Sequence, residues 1–169
     1  MTLHPIWNIR PRNSQDKDWV EVIKDSGCYS WVGRQKTRGQ QLSLGKCKQT
    51  AYCIKTKIIG KKFIHFLGAR CYSKKTIQHE FIHALGFHHE QNRPDRNDYV
   101  TINWKNIGSD YHDQFIIEKT SLTFDVPYDG KSIMHYKPRD FSINPSNLYT
   151  IESKVKNKTK LIDIHILKT

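Results

Sequence analysis

Four residues within one eleven-residue run could do chemistry together: His79, Glu80, His83 and His89, in the order His-Glu-Phe-Ile-His-Ala-Leu-Gly-Phe-His-His. Imidazole nitrogen is a good zinc ligand, provided that the side chains converge on one ion. His79 and His83 are four apart, so on a helix of 3.6 residues per turn they share a face and point the same way. Were the helix to continue, His89 would stand roughly 15 Å beyond His79 along its axis at 1.5 Å per residue. An ion with Zn–N bonds of about 2.0–2.1 Å could not then bind both. The helix must therefore stop between His83 and His89. Gly86 stands where it should stop, and glycine takes the left-handed conformation that ends a helix and turns the chain. His89 can then return as the third ligand. Three neutral imidazoles leave a coordination position open to water, which separates a catalytic zinc site from a closed structural one. A metal there lowers the pKa of the water and polarises a carbonyl. Glu80, next to a ligand, is placed to take the proton of that water and pass it to a leaving amine. The pattern thus points to hydrolysis of a peptide bond, with His79, His83 and His89 on the metal and Glu80 as general base. His4, His65, His112 and His165 stand alone in the sequence and read as solvated or packed residues.

These side chains need a rigid support. Thr76 to Leu85 reads as the metal-binding helix, with Ile77, Phe81 and Leu85 on one face at i, i+4 and i+8, to be buried against a sheet. Strand signals precede it: Trp19–Ile23 alternates within the stretch from Asp18 to Lys24, Tyr29 to Arg34 is a second, and Gly39 to Leu44 a third. Beyond His89 the chain is rich in Asn, Asp and Pro, with a candidate helix around Asn103 to Tyr111 and loops elsewhere.

The run continues Glu90-Gln91-Asn92-Arg93-Pro94-Asp95-Arg96-Asn97-Asp98-Tyr99-Val100, and downstream stands Ser132-Ile133-Met134-His135-Tyr136. The zinc motif is common to all metzincins. Its combination with the His-Glu pair after Gly-Phe, the Arg-x-Asp-Arg run and the Ser-Ile-Met-His-Tyr turn resembles the astacin family of metzincin zinc endopeptidases. The resemblance extends from about Ile9 to about Lys168, with one interruption. It implies an α+β, zincin-like domain of two lobes: a twisted mixed sheet with the active-site helix, and a largely irregular C-terminal lobe. A cleft with zinc on its floor, and an extended substrate along an exposed edge strand, would go with that fold, binding through backbone hydrogen bonds as in strand addition. The resemblance also implies one Zn2+ per chain on His79, His83 and His89, Glu80 as the catalytic base and Met134 as the apolar floor beneath the metal. Tyr136 becomes the extra zinc ligand that swings away to stabilise the oxyanion. Glu90 corresponds to the family's buried acid, which pairs with the N-terminus freed when a propeptide is removed; otherwise it is a solvated or locally paired acid.

One hundred sixty-nine residues fit one domain with a sizeable core. No apolar run approaches the roughly eighteen residues needed to span a membrane. The formal charge of +12 raises the possibility of nucleic-acid binding, but no basic motif interleaved with aromatics is present. The four cysteines, Cys28, Cys47, Cys53 and Cys71, allow three pairings if all are oxidised. The resemblance implies that Cys28 pairs with Cys71, and a disulfide implies an extracellular setting. Asn157-Lys158-Thr159 adds a glycosylation acceptor pattern. The first residues, Met1 to Trp7, lack the basic start, apolar core and small-residue cleavage site of a signal peptide.

The interruption is the stretch 46–68, which has no counterpart in the family: without it, Ser43-Leu44-Gly45 joins Ala69-Arg70-Cys71 in register. It carries six lysines and no acid, so its removal takes the formal charge from +12 to +6. Gly45-Lys46 can be encoded by bases resembling a splice donor and Phe66-Leu67-Gly68 by bases resembling an acceptor. Translated intron is therefore one explanation, and a basic hairpin bridged by Cys47 and Cys53 the other. Residues 1–169 are expected to form a single peptidase domain that is incomplete at both termini. Family members have a further strand and long helix before the part matching Ile9, and a final helix and cysteine after the part matching Ile164. Ile6 stands where the family places that cysteine's partner, and loss of such a bridge costs about 2–5 kcal/mol.

The residues and the resemblance together imply a zinc endopeptidase acting on protein or peptide substrates, with no nucleic-acid partner and no membrane span, as a monomer, and the resemblance and its disulfide imply that it is secreted. A catalytically impaired fragment that binds zinc or peptide only is the alternative.

Overall fold

The computed structural model describes residues 10–45, 71 and 73–154. The basic stretch 46–68, Cys47, Cys53, His4, His65, His165 and the glycosylation pattern lie outside the described residues, as do both chain ends. The chain divides into two compact units at Gly86/Phe87.

In the first unit, strands β1 (Val20–Ile23), β2 (Cys28–Ser30) and β3 (Gln40–Leu44) form a three-stranded sheet in the order β1-β3-β2. β3 runs parallel to β1 and antiparallel to β2, so the sheet is mixed. As the central strand, β3 is buried at Leu42, Ser43 and Leu44. Buried Ser43 is satisfied: its hydroxyl donates to Gly27 O at 2.8 Å and accepts from Asp25 N at 3.2 Å. Val20 and Val22, two apart and so on the same face of β1, remain 38% and 42% exposed. The second strand is shorter than the expected Tyr29–Arg34. The chain leaves the ladder after Ser30, and at Gly33 (φ 70°) it turns and donates its N–H to His83 O at 2.8 Å.

Helix α1 (Lys74–Ala84) begins at Ser73, whose hydroxyl accepts from Thr76 N at 3.0 Å, an N-cap worth about 1 kcal/mol. Of the expected face, Ile77 and Phe81 pack with Ala84 against Leu42, Leu44 and Cys71, whereas Leu85 caps the helix, which runs Lys74–Ala84 rather than Thr76–Leu85, and is not part of that cluster. The Cys28–Cys71 disulfide, with Cα atoms 5.6 Å apart, ties β2 to the residue just before the helix. Gly86 has φ 105° and its N–H donates to His83 O at 2.8 Å, so the helix ends by a left-handed glycine between His83 and His89.

The second unit is largely short 3-10 turns and loops around one two-stranded antiparallel sheet, β4 (Val100–Ile102) with β5 (Ile151–Ser153). Its core is Val100, Ile102, Ile107, Phe115 and Ile151, with Tyr99, Tyr128, Tyr136 and Phe141 packed against it. The candidate helix around 103–111 is instead two 3-10 segments, Trp104–Asn106 and Ser109–Phe115. Ile107–Gly108 between them takes extended backbone, and Ile107 bridges to Ser142. Trp104 and Tyr111 stay exposed, so no continuous apolar stripe exists to bury a helix there. The organisation is α+β, with the strands and helix of the first unit followed by turns and a small sheet in the second.

Candidate metal centre

α1 presents His79 and His83 one turn apart, with ring centroids 4.6 Å apart and planes perpendicular. His83 is the more constrained, 6% exposed, and its carbonyl accepts both Gly33 N and Gly86 N at 2.8 Å. After the glycine turn, His89 opens the 3-10 segment Glu90–Asn92, and its carbonyl accepts Asn92 N at 3.0 Å. His79, His83 and His89 each offer one ring nitrogen, and the three atoms lie within 4.8 Å of one another. Around a tetrahedral ion with bonds of about 2.0–2.1 Å the ligand atoms stand roughly 3.4 Å apart, so the three rings need only draw together slightly to share one ion, and three imidazoles are a donor set that catalytic zinc takes. The ion that this group fits is Zn2+.

Glu80 is buried, 5% exposed, and burial raises its carboxyl pKa from 4.5 to about 7. That value belongs to the protein without metal. Met134 is 5% exposed, and its carbonyl accepts Glu90 N at 3.0 Å. The Tyr136 ring lies 4.5 Å from that of His89, and 5.6 Å from Phe115.

Glu90 is locally paired. Its Oε1 accepts Arg93 Nη1 at 3.0 Å and Asp129 N at 2.8 Å. Arg93 also grips Asp95 with two donors, Nε at 2.9 Å and Nη2 at 2.8 Å. Arg96, 4% exposed, donates through Nη1 to Gln91 O at 2.9 Å and Phe115 O at 2.7 Å. The Arg-x-Asp-Arg run is thus a buried framework for the segment that follows His89. Gln91 and Asn92, to which no local pattern assigns a role, are 0% and 9% exposed. Nothing in their types announces burial, since both are usually surface residues. His112 stands apart from the group, exposed, with its ring 5.4 Å from Trp104.

A mixed sheet, a helix carrying two histidines, a glycine turn and a third histidine define a metzincin-type zinc protein. The family model described as Astacin, a peptidase family, matches residues 7–69 and 57–165, two stretches that overlap inside the basic segment. The chain is 38% identical over 151 residues to zinc metalloproteinase nas-13 of Caenorhabditis elegans, covering 87% of this chain and 27% of that one. It is 37% identical over 128 residues to human meprin A subunit beta, covering 75% and 15%. Among solved structures it resembles high choriolytic enzyme 1, a hatching enzyme zinc-protease from Oryzias latipes. That match has TM-score 0.68 and 34% identity, over 86% of this chain and 60% of that one. The chain belongs to the astacin family. It spans about a quarter or less of the length of the relatives nas-13 and meprin A beta.

Proposed function

We propose that this chain carries the zinc-dependent endopeptidase activity of its family, cleaving internal peptide bonds of protein or peptide substrates. The observation that carries this reading is the convergence of His79, His83 and His89 nitrogens within 4.8 Å, the first two borne on a helix that also carries the buried Glu80. In this reading His79, His83 and His89 hold the zinc. Bound there, zinc would supply Lewis acidity, lowering the pKa of water and polarising the scissile carbonyl. Glu80 accepts a proton from the attacking water and delivers it to the departing amine. Its raised affinity for a proton suits both halves of that transfer. The Tyr136 phenol donates a hydrogen bond to the oxygen that gains charge as water adds. Met134 closes the floor beneath the histidines with a polarizable apolar side chain.

No helix among the described residues is long and apolar enough to cross a membrane. The Cys28–Cys71 disulfide supports an extracellular setting, and the protein is proposed to work there as a monomer.

The test uses chelator-treated chain, titrated with zinc and assayed on an internally quenched peptide. Activity should return at one zinc per chain. Glu80→Gln should bind the same zinc yet lose about 10²–10⁴ in kcat, the usual contribution of a general base. Hydrolysis that survives chelation, or a Glu80→Gln protein as active as the original, contradicts the proposal. One zinc bound without hydrolysis would instead identify a fragment that binds only.

A further inference from the structure

Tyr136 is held at its backbone from two sides. Its N–H donates to Oε1 of Gln91 at 3.0 Å. Its carbonyl lies 2.6 Å from Nδ1 of His135; a carbonyl only accepts, so Nδ1 carries the proton. His135 Nε2, 2.7 Å from the Tyr128 hydroxyl, then accepts from that hydroxyl in the neutral ring. Gln91 is itself locked. It is fully buried, and its Nε2 donates to Asn92 Oδ1 at 2.8 Å, which decides which end of the amide faces Tyr136. Asn92 Nδ2 in turn donates to Gln114 O at 3.2 Å and to Ile116 O. Glu90 N also donates to Met134 O at 3.0 Å, so the 3-10 segment Glu90–Asn92 is fastened to residues 134–136 by one backbone bond and by the Gln91 side chain.

The ring of Tyr136 packs against His89, Phe115 and Phe141, with centroids 4.5, 5.6 and 5.1 Å away, and its hydroxyl donates to Gln114 Oε1 at 3.4 Å. With the backbone clamped, the hydroxyl moves only through the two side-chain torsions. We propose that Gln91 is a positioning residue for Tyr136: its amide oxygen fixes the Cα–Cβ direction from which the phenol reaches the developing oxyanion. This rests on Tyr136 acting as the oxyanion donor. Misplacement by about 1 Å can cost about 10²-fold in rate, so a clamp on one backbone N–H matters to turnover without touching substrate.

The experiment compares the zinc-loaded chain with Gln91→Met, Tyr136→Phe and the double variant, and follows amide exchange with ¹⁵N-tyrosine, both zinc-free and zinc-loaded. Gln91→Met should lower kcat about tenfold with KM within about twofold. In the Tyr136→Phe background the same change should alter kcat by less than about twofold, because the two residues act as a unit. The Tyr136 amide should exchange slowly in the unsubstituted chain and much faster in Gln91→Met. The Tyr99 amide, which donates to Arg96 O at 3.0 Å, should not change, whereas general loosening would speed both. Should Gln91→Met fail to fold, Gln91→Glu keeps an oxygen facing the Tyr136 N–H. It should retain the protected amide with kcat within about threefold. An equal loss of kcat in both backgrounds overturns the inference alone, as does a Tyr136 amide that exchanges like an exposed one, or a Gln91→Glu protein with protection intact and kcat lost. If Tyr136→Phe leaves kcat unchanged, the oxyanion role of Tyr136 falls and this inference with it.

Discussion

In the proposed function Glu80 would have to meet two demands that pull apart in water: basic enough to take a proton near neutral pH and acidic enough to give it back. Burial to 5% exposure brings its pKa to about 7 before any metal is considered, near the value that suits a general base. Tyr136 is the second residue that the proposed function would have act on the reaction. Tyr136→Phe is expected to lower kcat by about 10²-fold with KM nearly unchanged, the cost of one oxyanion donor used only in the transition state. Initial rates over a range of substrate concentrations check it; a rise in KM with kcat intact would assign Tyr136 to substrate binding instead. At this scale the sequence was most informative for side chains placed by helical period. Histidines four apart on a helix can only face one way, so their convergence was legible. Gln91 was not, because its place depends on contacts with residues 45 positions away, which no local pattern encodes.

Helix α1 owes its end to Gly86, where φ is 105°. A Cβ there would meet only Gly33 Cα at 3.7 Å, an ordinary contact, so a substitution is penalised by backbone conformation rather than by collision. Gly86→Ala should destabilise by about 1–2 kcal/mol, the cost of forcing an L-residue into left-handed backbone, and should weaken zinc binding as well, because the turn delivers His89. Gly27 has φ 90° and open space around it. Gly27→Ala should cost similar stability while leaving zinc affinity alone. Thermal melts and competitive zinc titration of the two variants separate the effects, and equal zinc affinities would detach the turn from the metal centre. The segment after His89 carries a pH dependence of its own. Arg93, by direct hydrogen bonding and then by charge, holds the Asp95 carboxyl below its ordinary 3.8. A depressed folded pKa means stability that is present above 3.8 and lost as pH falls through the lower folded value. Asp95 is partly exposed, with 30% of its side-chain surface open, so the pair is worth no more than about 1 kcal/mol after screening. Asp95→Asn should therefore be less stable than the original at neutral pH, and the gap should close in acid below pH 3.8. A gap that stays constant from neutral pH into strong acid would refute the linkage. Element types were legible where an apolar face repeats, as in α1 and β3. They were misjudged at 103–111, where turn chemistry around Gly108 and exposed aromatics prevail over helical propensity.

Across the whole molecule, each unit has its own small core, and the first is fastened by the Cys28–Cys71 bridge. Reducing it should cost about 2–5 kcal/mol, read as a fall in melting temperature with reductant. An unchanged melt would deny the bridge a structural role. The pairing was legible through family resemblance alone, since four cysteines admit three pairings. We propose that residues 1–169 belong to one peptidase domain, with 46–68 inserted into it. Transcript reads that skip from Gly45 to Ala69 would show translated intron; continuous reads with no shorter form would leave a true basic insertion. Half of the charge of +12 belongs to the six lysines of that segment, and in this view the excess is not a nucleic-acid footprint. Binding of DNA or RNA that falls steeply with salt would contradict it.

Zinc-edge X-ray absorption on chain loaded with one equivalent of metal tests the central assignment most directly. Three imidazole nitrogens per zinc at about 2.0–2.1 Å, reduced to two in His89→Ala, are the predicted result. Sulfur at about 2.3 Å, or a ligand shell indifferent to His89→Ala, would contradict it.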